Sequence, residues 1–171
     1  AVRWLPFQLN PDLPESGIPR EEYVARKFGA RGKGVNERVA LAGRDVGIPF
    51  AYEKMGVQPN TLNAHRLLCY AERAGKQGAL AEDLFRAHFV DGANLTDRET
   101  LADIAARAGL DRKTVMEYLA GDEDRAVIAQ ADVESRSAGI GGVPFFIFNR
   151  KISVSGAQDP EALLEAMEQS L

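Results

Sequence analysis

The stretch Ile140-Gly141-Gly142-Val143-Pro144-Phe145-Phe146-Ile147-Phe148 divides the sequence into two parts of different character. Two glycines and a proline end a helical pattern, and the most compact apolar run of the chain follows them. Consecutive large apolar residues after such a turn signal predict a buried strand over Phe145–Phe148. Most of the chain before this stretch is predicted to be helical. The chain after it is predicted to form a second strand and a closing helix.

Length and composition restrict the kinds of protein that this chain can be. A chain of 171 residues, 45% hydrophobic and 27% charged, can bury one core, or one core and a packed subdomain. The net charge is −4 and no basic block is present, which argues against nucleic acid as a partner. No apolar run approaches the roughly 18 residues of a spanning helix, and no charged-then-apolar leader opens the chain. The single cysteine, Cys69, allows no internal disulfide. These features predict a cytoplasmic protein in a reducing compartment, without a membrane partner.

The first residues and the long middle of the chain follow different patterns. Val2 to Phe7 alternate apolar and polar side chains and include aromatics, which predicts a strand. Because the chain opens inside this predicted strand and lacks an initiating methionine, we expect the natural protein to have an element before Ala1. The proline-rich segment from residue 10 to 19 is predicted to be irregular.

Helical spacing begins near Arg20 and continues to Gly139. Val35, Val39, Ala42 and Val46 recur every three or four residues and predict a helix that stops at Gly47. The later segments have similar apolar spacing, and Thr96 to Glu99 form a predicted capping box. About five helices between two strand regions predict an α/β fold with a helical insertion. The predicted boundaries are 1–19 with 140–171 for the host domain and 20–139 for the insertion.

The chain after the opening stretch is predicted to be a hairpin followed by a helix. Asn149 to Lys151 form a turn, and Ile152–Ser155 is the antiparallel partner of the first strand. The last helix has Asp159 in its cap, Pro160 at its first position and an apolar face that includes Leu163 and Met167.

Four short sequence words, spread over the whole chain, carry a resemblance to a known family. The words are Arg3-Trp4-Leu5-Pro6-Phe7-Gln8-Leu9-Asn10-Pro11, Pro59-Asn60-Thr61-Leu62-Asn63-Ala64-His65-Arg66-Leu67, Gly142-Val143-Pro144-Phe145-Phe146 and Val154-Ser155-Gly156-Ala157-Gln158. The closing unit resembles the C-terminal half of a thioredoxin fold, and the chain as a whole resembles the FrnE-like group of the DsbA family of thiol-disulfide oxidoreductases.

The resemblance implies a thioredoxin-like fold with a large helical insertion, and it also shows a departure from the family. Members of the family begin with a strand and a helix that carries Cys-Pro-Trp-Cys, and these 171 residues contain neither. In the family fold that strand lies between the strand at Val2 to Phe7 and the strand at Phe145–Phe148. We therefore expect it to be supplied by residues upstream of Ala1 or by another chain.

The resemblance also implies the residues of a site. Pro144 would be the cis proline opposite the catalytic thiolate, and the backbone of Val143 would pair with an extended substrate. Gly142, Phe7, Asn60 and His65 complete the predicted substrate-binding set. The alternatives are an ordinary trans proline at 144, a simple helix cap at Asn60 and a hydrogen-bonded core histidine at His65.

Other reactive side chains give weaker signals. Cys69 follows His65 by four residues on one helix face, but a lone cysteine between Leu68 and Tyr70 is typical of a small buried apolar residue. The histidines and the cysteine have no metal-ligand spacing, so no metal site is predicted.

Three functions are compatible with these observations. The first is a DsbA-like disulfide oxidoreductase that acts on protein or peptide thiols and disulfides, without a bound cofactor. The second resembles the glutathione-dependent 2-hydroxychromene-2-carboxylate isomerases, and glutathione would then be substrate or redox partner. The third is a non-catalytic, thioredoxin-like protein that binds peptides. For the 171 residues alone we expect no dithiol exchange, and homodimer formation is left open.

Overall fold

The computed structural model describes residues 2–29 and 32–171. The chain forms two compact units, Ala1–Ile128 and Ala129–Leu171. The described ranges contain eight helices and four short strands, which agrees with the predicted α/β class. The helices are α1 (Arg20–Phe28), α2 (Gly32–Asp45), α3 (Leu62–Arg73), α4 (Gln77–Phe89), α5 (Arg98–Arg107), α6 (Arg112–Ala120), α7 (Arg125–Ser137) and α8 (Pro160–Gln169). The strands are β1 (Ile18–Pro19), β2 (Val57–Gln58), β3 (Phe145–Phe148) and β4 (Ile152–Ser155), and a 3-10 turn covers Tyr52–Lys54. The predicted domain boundary near residue 139 stays a prediction.

The core of the first unit lies among helices α3 to α6. Their apolar side chains recur at three and four residues and meet in one buried cluster, in agreement with helical amphipathicity. Asp97 and Asp111 begin α5 and α6, because each carboxylate accepts a hydrogen bond from the backbone N–H three residues later. The fully buried members include Leu67, Ala71, Leu80, Leu101, Ala105, Val115 and Leu119.

The segment from Val2 to Phe7 is not a strand, so that prediction is wrong. A strand requires a paired neighbour, and no strand that the structure describes pairs with this segment. At Trp4, the Gln77 side chain pairs with the backbone in place of a neighbouring strand. The Gln77 amide accepts from the Trp4 N–H at 2.9 Å and donates to the Trp4 carbonyl at 3.0 Å. The segment is held to α4 in this way without forming a ladder.

The segment from Asn10 to Gly17 is irregular as predicted, but the same prediction is wrong for Ile18 and Pro19, which form β1, a two-residue strand short enough to include a proline. Side chains before and within α3 hold the irregular part by hydrogen bonds. Asn60 Nδ2 donates to the Leu13 carbonyl at 2.7 Å, and Asn63 Nδ2 donates to Glu15 Oε1 at 3.0 Å. Gly17 has a φ of +70°, and a Cβ placed on it would lie 2.5 Å from the Gln58 carbonyl oxygen. A glycine is therefore required where the chain turns into β1, which pairs with β2.

The second unit contains the hairpin that the sequence predicts. β3 and β4 pair antiparallel with Phe145 opposite Ser155 and Phe148 opposite Ile152. Asn149 and Arg150 both have positive φ, and the Lys151 N–H donates to the Phe148 carbonyl, as in a tight hairpin turn. α8 begins at Pro160 with Asp159 at its cap position and packs on β4.

Candidate functional site

The proline loop joins the end of α7 to the start of β3. The helix stops at Ser137, and Gly139 follows with a φ of +86°, which a residue with a Cβ rarely adopts. The Val143–Pro144 peptide bond is cis, which is the isomer implied by the resemblance. The side chains of Val143 and Pro144 are exposed. The loop therefore presents this dipeptide on the surface of the second unit.

The hydrogen bonds of the loop leave the backbone of Val143 unpaired within the described ranges. The Pro144 carbonyl accepts from the Gly156 N–H at 2.9 Å, which continues the β3–β4 pairing by one residue. In contrast, no hydrogen bond joins the backbone of Val143 to any residue that the structure describes. β3 also has only β4 as a partner within these ranges, so its second edge is open. An open edge with unpaired N–H and C=O groups is where an extended chain can add as a further strand.

The other predicted site residues belong to the first unit. Phe7 is buried, and His65 is half-buried in the first turn of α3. Asn60 uses both ends of its amide within the chain, since Nδ2 donates to the Leu13 carbonyl and Oδ1 accepts from the Leu62 N–H at 2.9 Å. Asn60 thus orders the turn before α3, although Thr61 and not Asn60 occupies the cap position of the helix. A role of these three residues toward a substrate stays a prediction.

Cys69 lies in the middle of α3, and its surroundings disfavour a thiolate. Burial raises the pKa of its thiol, and the nearby Asp124 carboxylate raises this pKa further. A reactive thiolate needs the opposite conditions, a helix N-terminus or a dominant cation. The arrangement therefore agrees with the structural interpretation of Cys69.

Sequence reasoning missed Arg66, the most buried cation of the first unit. Its side chain has no exposed surface, and its guanidinium donates to the carbonyls of Glu123, Tyr118 and Gly121 at 2.7 to 2.9 Å. It also donates to Asn63 Oδ1 at 2.8 Å. Arg66 thereby joins α3 to the connection between α6 and α7. The available signal was its position, one residue before Leu67 on the face that α3 buries.

A second polar cluster surrounds Asp124 beside the same connection. Asp124 has a positive φ of 61°, and its carboxylate accepts from the Tyr118 hydroxyl at 2.6 Å and from Arg73 Nη1 at 2.9 Å. Burial raises the pKa of Tyr118, and the hydrogen bond to Asp124 raises it further. The Tyr118 hydroxyl therefore stays protonated and donates to the carboxylate. This cluster ties helices together within the first unit.

The part of the chain that the structure describes contains neither a metal-binding cluster nor a membrane-spanning helix. No group of three or more histidine, cysteine, aspartate or glutamate side chains could hold a metal ion there. None of the helices in those ranges combines the length and the apolar character needed to cross a membrane.

With this geometry established, comparison with known proteins decides the family. A family model described as the DSBA-like thioredoxin domain matches residues 1–168. The chain belongs to this family. A crystal structure of a probable DsbA oxidoreductase from Streptomyces coelicolor is similar to it, with 27% sequence identity and a TM-score of 0.87. The similarity covers 96% of this chain and 72% of that one. None of the curated proteins matches the chain.

Membership in the DSBA-like thioredoxin family confirms the resemblance that the four sequence words carry. It also confirms the thioredoxin-like fold class, in which helices outnumber short strands. Proteins of the DsbA type exchange thiols and disulfides. The chain is therefore assigned to a family of disulfide oxidoreductases on grounds independent of any single residue.

Proposed function

We propose that this chain is the substrate-facing part of a FrnE-like disulfide oxidoreductase and that its catalytic cysteine pair lies outside the 171 residues. Family membership supports the reaction class. Dithiol exchange needs two thiols, and the sequence contains Cys69 alone. The lone cysteine also supports a cytoplasmic, reducing location.

The observation that carries the proposal is the exposed Val143, whose backbone forms no hydrogen bond with any residue that the structure describes. An extended substrate can pair with the Val143 N–H and C=O as an added strand. Main-chain pairing of this kind is tolerant of substrate side chains. It suits an enzyme that acts on many peptide disulfides.

The chemistry expected beside this edge is thiol-disulfide exchange. A cysteine thiolate attacks one sulfur of the substrate disulfide, the substrate S–S bond breaks, and a mixed disulfide forms while the other substrate sulfur leaves as a thiolate. The second cysteine of the pair then attacks the mixed disulfide and releases the reduced substrate. Cys69 is unsuited to the first step because burial raises the pKa of its thiol.

Binding of an extended peptide tests the edge directly. We expect a short, unstructured peptide to shift the NMR signals of the Val143 amide and of its neighbours in the proline loop of the labelled chain. Methylation of the one peptide nitrogen that pairs with the Val143 carbonyl removes a hydrogen bond and should weaken binding about tenfold, which corresponds to about 1.4 kcal/mol.

A matched control uses the same peptide methylated at the neighbouring residue. Successive N–H groups of a strand point to opposite sides, so this methyl group faces away from the edge and should leave the affinity nearly unchanged. Equal affinity of both methylated peptides and the parent, or shifts confined to residues outside the loop and β3, would refute edge binding.

A further inference from the structure

The apolar stripe of α2 is exposed in this chain. The stripe consists of Val39, Ala42 and Val46, the last being the residue just after the helix. All three are exposed, Val39 by 41% and Val46 by 72%. Exposed apolar side chains at helical spacing indicate a surface that another element covers.

One contact of α2 with the rest of the first unit lies at the edge of the stripe, at Gly43, which follows Val39 by four residues. Gly43 is the buried residue among those of α2 whose side chains the structure describes. A Cβ placed on Gly43 would lie 2.4 Å from Cδ2 of the Phe50 ring, so the ring packs directly on the helix backbone. The close packing at Gly43 leaves the stripe uncovered beside it.

Two opposite charges border the stripe on one side. Arg38 and Asp45 are exposed, and neither forms an ion pair with any residue in the described ranges. Residues seven apart differ by about 20° around a helix and by about 10.5 Å along it. Arg38 and Asp45 therefore lie on the same flank, too far apart to pair with each other.

We propose that the stripe is the interface of a homodimer, in which α2 of a second copy packs antiparallel against it. The midpoint between Arg38 and Asp45 falls beside Ala42, so a twofold axis at Ala42 places Arg38 of each copy opposite Asp45 of the other. A twofold interface requires such self-complementarity. A parallel pair would instead oppose Arg38 to Arg38.

The side chains of the stripe suit this crossing. Ala42 at the axis is small, so the helix axes can approach to about 8 Å. Val39 and Val46 then pack on either side of it. The patch is short and well below the roughly 1,200 Å² of a standard interface, so we expect a weak dimer that depends on protein concentration and on salt.

Sedimentation of the 171-residue chain tests the apolar part of the interface. The wild type should shift from monomer to dimer as its concentration rises, and Val39→Asp should stay monomeric at every concentration. Ala40→Asp is the matched control, because Ala40 is on the same helix and lies about 160° around it from Ala42, away from the stripe and from both charges. It should dimerise like the wild type.

Charge reversal tests the antiparallel arrangement. Arg38→Glu and Asp45→Arg should each weaken their own homodimer, since each change brings like charges together twice. A mixture of the two variants should form a heterodimer, because both contacts then join a cation to an anion. Circular dichroism of each variant should match the wild type, which shows that it is folded.

Three results would contradict the proposed homodimer. A wild type that stays monomeric at its solubility limit would overturn it. Equal loss of the dimer in Val39→Asp and Ala40→Asp would do so as well, as would failure of the charge-reversed mixture to associate. The proposal does not depend on the redox function, and none of these experiments measures thiol exchange.

Discussion

At the scale of single residues, Arg66 is the clearest case of a side chain whose loss should damage the fold. It is fully buried and supplies hydrogen bonds to three backbone carbonyls and to Asn63. The carbonyls of Tyr118 and Gly121 lie at the C-terminal end of α6, where a cation is also favoured by the helix dipole.

We predict that Arg66→Met, which keeps most of the volume, lowers the free energy of unfolding by roughly 3 kcal/mol or more, because several buried acceptors lose their donors. Urea denaturation measures this. Arg112→Met is the control, since Arg112 lies on the surface and forms ion pairs with Glu99 and Asp103. A loss for Arg66→Met no larger than that of the control would contradict the role given to Arg66.

Glu15 should contribute to the dependence of stability on pH. The hydrogen bond from Asn63 lowers the pKa of its carboxyl below the ordinary 4.5, and hydrogen bonds from Arg125 and Arg98 add to this. A carboxyl whose pKa is lower in the folded state stabilises the fold above its ordinary pKa. That contribution is lost as the pH falls through the lower, folded-state value.

We therefore predict that Glu15→Gln loses less stability than the wild type when the pH falls from about 6 to about 3, because the carboxylate that Asn63 stabilises in the folded state is absent from the variant. Thermal melting over this range measures the difference. Glu82→Gln, on the exposed surface of α4, should keep the slope of the wild type. An unchanged slope in Glu15→Gln would show that Asn63 and Arg125 do not stabilise its carboxylate.

Residue-level predictions from sequence fail where two neighbouring residues offer the same interaction. The pattern from Thr96 to Glu99 predicts a capping box, but Asp97 caps α5 and the Thr96 hydroxyl donates to Asn94 Oδ1 at 2.8 Å. Either residue is a good cap, and the loop that arrives from Asn94 decides between them. Arg66 is hidden for a related reason, because its acceptors are 52 to 57 residues away in sequence.

At the scale of elements, a glycine in a turn and a glycine in a helix should respond in opposite ways to substitution by alanine. Gly17 combines a φ of +70° with close contact to the Gln58 carbonyl, whereas Gly78 lies within α4 with open space around its position. We predict that Gly17→Ala lowers the free energy of unfolding by roughly 2 kcal/mol or more. The alanine would have to adopt a left-handed backbone conformation, and its Cβ would overlap the Gln58 carbonyl oxygen.

Gly78→Ala provides the opposite result in the same helical unit. It should stabilise the chain by up to about 1 kcal/mol, because alanine has the higher helix propensity and meets no neighbour. Urea denaturation of both variants measures the contrast. If Gly17→Ala were as stable as Gly78→Ala, the turn before β1 would not require the left-handed backbone conformation at residue 17.

The sequence predicts local elements well and fails for those that need distant partners. The β3–β4 hairpin matches its predicted bounds and α8 begins at the predicted residue, because their turn and cap residues are adjacent in sequence. The Val2 to Phe7 segment has the composition of a strand, but strand formation depends on a neighbour that composition cannot supply. The sequence predicts the proline loop directly, because glycine and proline residues identify a turn.

At the scale of the whole molecule, the chain has the helix-rich fold of a DSBA-like thioredoxin domain and a single cysteine. The predicted site residues Phe7, Asn60 and His65 lie in one compact unit, and Gly142, Val143 and Pro144 lie in the other. Their common function was inferred from family resemblance, because no spacing in the sequence links positions so far apart. Their roles therefore need an assay of the reaction itself.

The most direct test of the central claim is the rate of insulin reduction by the 171-residue chain and by a longer, natural protein that includes residues before Ala1. We predict that the 171-residue chain, with or without Cys69→Ser, shows no turnover. The longer protein should reduce insulin and lose that activity when its additional cysteines are replaced. Turnover by the 171-residue chain that Cys69→Ser abolishes, or a folded longer protein without turnover, would contradict the proposed function.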